Sequence, residues 1–335
     1  MDYRLIIPIL ISFFVALFLL PRWIERAKKF GLVGTDMNKY KGNGVAEAGG
    51  IVVVTGFVLG ILFYVAIETF YIKSTIHLIE IFALLSSILM LSLIGLIDGL
   101  LGWKVGLTKR FRIFACVLAA IPLIVINAGQ DSITLPFLGL VNLGLIYPII
   151  LVPLGIAATS TTFNFLAGFN GLEAGQGIII IGALSMVAYF TGNSWLALIG
   201  LCMIVALFAF LFYNFFPARV FPGDVLTYPL GGLIAIMAIL GNFEKIAVFF
   251  FIPNIIEVVL KGSGKFVKQS FGKPMKDGSL ELRYNKIYGL EHLSIYIMKK
   301  IGISPTEKRV VYSIWAFQIV IVLLGFMIFK KGIFG

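Results

Sequence analysis

Asn164-Phe165-Leu166-Ala167-Gly168-Phe169-Asn170-Gly171-Leu172-Glu173-Ala174-Gly175-Gln176 is a polar island between two long apolar runs. It holds two asparagines, a glutamate, a glutamine and three glycines, and no lysine or arginine. A segment that only reverses the chain has no need of carboxamides and a carboxylate together. The stretch therefore reads as an active-site loop at a membrane surface, with the rest of the chain as its support.

Outward from this loop, apolar runs of roughly the ~20 residues that span a bilayer recur along the chain. Spans are expected at about 5–20, 50–67, 79–97, 113–128, 145–162, 177–190, 196–215, 225–240, 245–260 and 310–329. The fold class is an all-α polytopic membrane protein of about ten transmembrane helices, one domain over residues 1–335. Composition agrees, with 60% hydrophobic and 13% charged residues and a mean hydropathy of +1.03. A soluble domain of this size needs more charge on its surface. The first run is too long for a signal-peptide core and no small-residue cleavage site follows it, so it reads as a retained helix. Cys116 and Cys202 fall inside apolar runs and read as packing residues.

The net charge of +11 is explained by topology rather than by nucleic acid. With the loops after the odd-numbered spans on one side, all of the 27 Lys and Arg fall there except Arg4, Lys73, Lys245, Lys330 and Lys331. That side is expected to be cytoplasmic, with both termini outside. Lys104, Lys109, Arg110 and Arg112 cluster after the third span, whereas the loop at 129–144 carries Asp131 and no cation. The one long polar segment, 262–308, is a cytoplasmic loop in which the alternation from Leu280 to Tyr284 allows a short hairpin.

The chemistry-bearing residues gather on that basic side. Asp98 ends an otherwise apolar helix, where an immersed carboxylate costs about 2.5–3.5 kcal/mol on insertion scales. Asp224 follows Phe221-Pro222-Gly223 at the start of the eighth span. Gly223 permits a close backbone approach, and Asp224 can cap the helix, ligate a metal, or do both. Few carboxylates combined with carboxamides such as Asn164 suit Mg2+, which shares its coordination with substrate phosphates. His77 and His292 are isolated, which argues against zinc. Lys39, Lys109, Arg110, Lys265 and Lys268 are candidate phosphate contacts, weighed against plain topology and anionic lipid. No GxxxxGK[ST] or GxGxxG loop occurs in a strand-to-helix setting, which excludes soluble nucleotide folds.

The Asn164–Gln176 stretch resembles the corresponding loop of the dolichyl-phosphate N-acetylglucosamine-phosphotransferases. Phe221-Pro222-Gly223-Asp224-Val225-Leu226-Thr227-Tyr228 is similar to that family's second motif, and Asp36-Met37-Asn38-Lys39 with Glu47-Ala48-Gly49-Gly50 to its first cytoplasmic loop. Asp277-Gly278-Ser279-Leu280-Glu281 and Glu307-Lys308-Arg309 are weaker matches, all in family order. The wider family is the polyprenyl-phosphate N-acetylhexosamine-1-phosphate transferases. The resemblance implies transfer of N-acetylglucosamine-1-phosphate from UDP-N-acetylglucosamine to a polyprenyl (dolichyl) phosphate, UMP leaving, as the first step of lipid-linked oligosaccharide assembly. By position it assigns Asn164 and Asp224 to Mg2+, with Mn2+ as a substitute. It further assigns Asn170 and Phe221 to the uracil with Glu47 nearby, Asp98 to the catalytic group, and Lys109 to the phosphates after one inserted residue. Lys39 and the basic residues of the last loop, Lys265 and Lys268 among them, would complete the substrate site. It also implies a homodimer, and short loops rich in lysine lean toward an archaeal plasma membrane over a eukaryotic endoplasmic reticulum.

Two positions depart from the family pattern. The family's pair of aspartates at the end of the third span is Asp98-Gly99 here, and the asparagine three residues before Asn164 is Thr161. An altered homologue that binds UDP-sugar or polyprenyl phosphate without full turnover is the alternative. A transporter would require polar residues at mid-membrane depth, whereas the carboxylates here gather at one surface.

Overall fold

The computed structural model describes residues 3–42, 44–101, 106–130, 132–135 and 139–334. Lys104 and Asp131 lie outside them. Helix α1 (Ile6–Lys29) leads through a two-stranded hairpin, β1 (Val33–Thr35) with β2 (Gly44–Ala46), into α2 (Gly50–Ala66), which a π-helical turn prolongs to Ile72. Then come α3 (Leu78–Leu100), α4 (Lys109–Leu118) and α5 (Ile121–Val125), followed by a hairpin of β3 (Ser132–Leu135) and β4 (Gly139–Asn142). A π-helical turn at Tyr147–Leu151 opens α6 (Val152–Phe163). Helices α7 (Leu172–Phe190), α8 (Ser194–Asn214) and α9 (Asp224–Gly241) complete the centre of the bundle. The pair α10 (Glu244–Phe250) and α11 (Ile252–Ser263) precedes a short hairpin of β5 (Lys273–Pro274) and β6 (Leu280–Glu281). The chain closes with α12 (Leu290–Lys300), α13 (Glu307–Ile328) and α14 (Lys330–Phe334).

The expectation of about ten spans resolves differently. Among the described residues seven helices are long and apolar enough to cross a membrane: α1, α2 with its extension, α3, α7, α8, α9 and α13. An eighth is added if α10 and α11, bent by 58° at Phe251, count as one. The expected fourth and fifth spans are helical but short. Residues 109–125 are split at Ala119 and Ala120 just before Pro122, whose ring cannot donate to the ladder. The fifth is the 147–163 arm, a shorter apolar helix at the lower end of the length that spans a bilayer. The expected hairpin in the last loop is present, pairing Lys273 with Glu281 and Pro274 with Leu280. The hairpins at 33–46 and 132–142 have strands too short to give a readable alternation.

Helix α9 is the axis of the bundle. Of its apolar window 89% is buried, against 22% for α1, whose outer side is free to meet lipid. Two devices seat α3 on α9. Gly95 has no side chain where a Cβ would run into the Asp224 carbonyl, so the backbones touch there. Pro229 inside α9 cannot donate to Val225, and the freed Val225 carbonyl is taken by Ser92 Oγ at 3.3 Å. The contact at Gly95 sets Asp98, one turn further along α3, beside the start of α9. A satellite core of Leu166, Phe169 and Leu172 with Leu280, Leu290 and Val310 fastens the last loop to the Asn164 loop.

Candidate active site

The C-terminus of α3, the N-terminus of α9 and the end of α6 converge at one end of the bundle. Asp224 is the first residue of α9, after Gly223 at φ +68. Its carboxyl group lies beside that of Asp98 and close to the Asn164 carboxamide. Asn164 Oδ1 in turn accepts from Thr227 Oγ1 at 3.0 Å. Asp98 is buried; its Oδ1 accepts from the Leu107 amide at 2.7 Å and its Oδ2 lies 2.8 Å from Arg112 Nε. Tyr228 Oη reaches the same Oδ2 at 3.4 Å. Asp224 is thus aimed at its neighbours rather than acting as the helix cap, a place Gly223 occupies.

Two carboxyl groups this close repel unless a proton or a cation sits with them. The two carboxyl groups are hard oxygen donors, the kind that holds Mg2+ through one or two protein carboxylates and leaves room for phosphate oxygens, and Asn164 could add its Oδ1, which also accepts from Thr227. Among the described residues no group of three or more His, Cys, Asp or Glu side chains gathers as a metal cage.

The loop between α1 and α2 is zipped to the Asp224 segment. Ala46 bridges Val220 in parallel, the Phe221 amide donates to Ala46 O at 2.7 Å, and the Gly49 and Gly50 amides donate to Phe221 O and Pro222 O. This pairs the backbone on either side of Glu47 with the Val220–Pro222 segment. The Glu47 carboxyl is half-buried against the Gly34 backbone, and burial raises its pKa above the ordinary carboxylate value. The Asn170 carboxamide is already engaged, its Nδ2 donating to Asp36 Oδ2 at 3.0 Å while its amide donates to Glu307 Oε1 at 2.8 Å. Lys39 Nζ lies 2.6 Å from Asp36 Oδ2 and 5.0 Å from the Phe216 ring. Asn38 spans from Gly168 O to the Gly272 amide, tying first and last loops to the Asn164 loop.

The candidate cations divide. Lys109 Nζ donates to Phe266 O at 3.1 Å, Arg110 is exposed, and Lys268 stands over the rings of Tyr284 and Tyr288 at 5.0 and 5.8 Å. Lys265 sits at φ +56 at the end of α11. The cation that meets Asp98 is Arg112, one helical turn beyond Lys109, a residue that the sequence marks only as part of a charge cluster. Tyr228 and Thr227 were likewise not singled out. Their signal was positional, since Thr227 and Tyr228 share the first turn of α9 with Asp224.

Along α6 below Asn164 lies an almost wholly apolar cavity of about 240 Å3. It is bounded by Gly155 and Thr159 of α6, Ile234 and Ala238 of α9, and Phe251 and Ile255 of the bent pair. Thr159 is about 7 Å of helix rise from Asn164. A hydrogen bond from Tyr147 to Glu244 stands at the other end.

A family model described as glycosyl transferase family 4 matches residues 81–242, the stretch from α3 through α9 that carries Asp98, Arg112, Asn164 and Asp224. The chain is 33% identical over 323 residues to a protein of Sulfolobus acidocaldarius, covering 96% of this chain and 95% of that one. It is 34% identical over the same length to a protein of Saccharolobus solfataricus. Both carry the provisional name UDP-N-acetylglucosamine–dolichyl-phosphate N-acetylglucosaminephosphotransferase. A Dictyostelium discoideum protein of the same name is 32% identical over 292 residues, 76% of this chain and 69% of its own length. The chain belongs to glycosyl transferase family 4.

Within this family-4 chain the two departures are visible in space. Gly99 is exposed at the end of α3, and a Cβ there would meet nothing within 4 Å. The buried member of the expected aspartate pair is therefore the one retained. Thr161 spends its hydroxyl on its own helix, donating to Ala157 O at 2.7 Å.

Proposed function

We propose that this protein transfers N-acetylglucosamine-1-phosphate from UDP-N-acetylglucosamine to a polyprenyl (dolichyl) phosphate and releases UMP. The observation that carries this reading is the meeting of Asp98, Asp224, Asn164 and Arg112 at the end of α6, the helix along which an apolar cavity runs. A charged site suited to a diphosphate and a seat suited to an isoprenoid tail then share α6, with Thr159 of the cavity less than two turns from Asn164 and Ile234 about 15 Å along α9 from Asp224. The names borne by the archaeal and amoebal relatives support the same substrates.

The acceptor is already a phosphate oxyanion, so its oxygen needs little proton transfer. It attacks the β-phosphorus of the UDP-sugar, the bond from that phosphorus to the bridging oxygen breaks, and UMP departs with the electron pair. The barrier is mainly repulsion between negative groups and the entropy of alignment. Asp224, Asp98 and Asn164 would hold Mg2+, which supplies charge neutralisation for the diphosphate. Arg112, fixed on Asp98, adds a guanidinium that cannot lose its proton. Asn38, Asp36 and Asn170 hold the first and third cytoplasmic loops in register, so that Phe221 and Glu47 present one wall of the nucleotide site.

The basic end of the bundle is assigned to the cytoplasm, where UDP-sugars are supplied, with an archaeal plasma membrane as the setting. The lipid tail stays in the bilayer while the sugar nucleotide arrives from water. Purified full-length protein in detergent tests this directly. UMP is expected only when Mg2+, UDP-N-acetylglucosamine and a polyprenyl phosphate are all present; its release without the lipid, or its absence with all three, contradicts the assignment.

A further inference from the structure

Helix α11 has two working faces. One, through Ile255 and the bend at Phe251, lines the apolar cavity. The other carries Glu257 and Lys261, both buried and paired at 3.5 Å. Glu257 Oε2 accepts from the Leu290 amide at 2.6 Å. It thereby caps α12 from a different helix, because the residue before it, Gly289, has no side chain to do so. Lys261 Nζ donates to Ser270 Oγ in the last loop. Just past the end of α11, Lys265 and Phe266 both sit at φ +56, a conformation that costs non-glycine residues about 1–3 kcal/mol each unless the surroundings hold it. What holds Phe266 is the active-site side: its carbonyl takes Lys109, and its ring lies 5.6 Å from that of Phe165, the neighbour of Asn164.

We propose that Glu257 and Lys261 are positioning residues that make α11 a rigid link between the acceptor cavity and the last cytoplasmic loop, so that polyprenyl phosphate beside Ile255 improves binding of the UDP-sugar. Glu257 and Lys261 move together on α11, but each also bonds to another element, the Leu290 amide and Ser270 Oγ; a shift of α11 alone would strip these buried charged groups of those partners, so α12 and the 264–270 segment move with it. A tail that settles against Ile255 therefore selects one placement of the loop, and by reciprocity the UDP-sugar selects the same placement for the tail. The inference rests on the acceptor occupying the cavity.

The test is the KM for UDP-N-acetylglucosamine, measured on the full-length protein at low and at saturating polyprenyl phosphate. In the wild type it is expected to fall by about tenfold as the acceptor rises, within the usual range of coupled sites. Glu257→Gln with Lys261→Met removes both charges at similar volume. This double variant is expected to keep turnover at saturation of both substrates but to show a KM independent of acceptor. Ser270→Ala, which cuts only the loop side of the link, is expected to lose part of the dependence and serves should the double variant not fold. A wild-type KM indifferent to the acceptor, or variants with the full wild-type dependence, overturn the inference while leaving the transferase reading intact. No UMP from the wild type sinks that reading and the inference together.

Discussion

The carboxyl groups of Asp98 and Asp224 meet across the seam between α3 and α9, with Arg112 on the Asp98 side and Asn164 on the Asp224 side. The seam is built for that meeting. Gly95 lets the helices touch, and Pro229 frees the carbonyl that Ser92 takes. Asp98→Asn and Asp224→Asn are each expected to lower turnover by about 100- to 1,000-fold, the usual cost of removing one preorganised charge from a site of this kind. Folded yield should be unchanged, as read by size-exclusion chromatography in detergent. A loss below tenfold in both would show that the pair is structural.

Arg112 and Lys109 give opposite expectations. Arg112→Met should cost at least about tenfold more turnover than Lys109→Met, with partial recovery in Arg112→Lys. Equal losses would place both cations at the phosphates.

Gly99→Asp separates a missing catalytic group from a dispensable one. The new side chain has open space and points away from the buried pair, so the variant should fold as the wild type does. Turnover is expected to change by less than about threefold, since the retained Asp98 makes the contacts to Arg112, Tyr228 and Asp224. A rise of tenfold or more would mean that the second carboxylate is needed.

These residues also mark how far the sequence could be read. Asp98, Asn164 and Asp224 stood out because each is polar where its neighbours are apolar, and the fold brings all three together. The cation could not be chosen that way, because spacing alone does not fix which side of a helix start faces inward. Lys109 and Arg112 are a single turn apart, and the turn decides. Long-range partners left no local trace either: Asp36 and Asn170 are 134 residues apart, and so are the loops they join. The all-α polytopic fold was legible in the apolar runs, but their breaks were not, because apolar composition continues through Pro122 and through the bend at Phe251.

A pH prediction follows from Glu291, on α12 outside the spans. It is fully buried with both carboxyl oxygens unpartnered, and burial, with the Glu257 charge added, raises its pKa well above the ordinary 4.5. Between that ordinary value and the raised one, the folded chain holds a proton that the unfolded chain has lost. Stability attributable to this group is therefore present at low pH and is lost as pH rises through the window, by up to about 1.4 kcal/mol per pH unit. Thermal unfolding of Glu291→Gln should show a flatter pH profile from 5 to 8 than the wild type, with the variant gaining relatively at the alkaline end. Parallel profiles would show that Glu291 is ionised in the fold.

The cavity can be tested by filling it. Gly155 lines it, and a Cβ at that position meets nothing within 4 Å. Gly155→Phe is expected to raise the KM for polyprenyl phosphate by about tenfold or more, while binding of UDP-N-acetylglucosamine measured without acceptor is unchanged. An unaltered acceptor KM would place the tail elsewhere.

The central claim is best tested with UDP-N-acetylglucosamine labelled with 32P at the β-phosphate, incubated with the wild-type protein, Mg2+ and a polyprenyl phosphate, then partitioned between butanol and water. Transfer of N-acetylglucosamine-1-phosphate predicts that the label moves into the butanol phase together with the sugar, in step with UMP in the aqueous phase, and that Asp224→Asn slows both together by about 100-fold or more. Label remaining in aqueous UDP while the sugar alone enters the lipid would contradict the account.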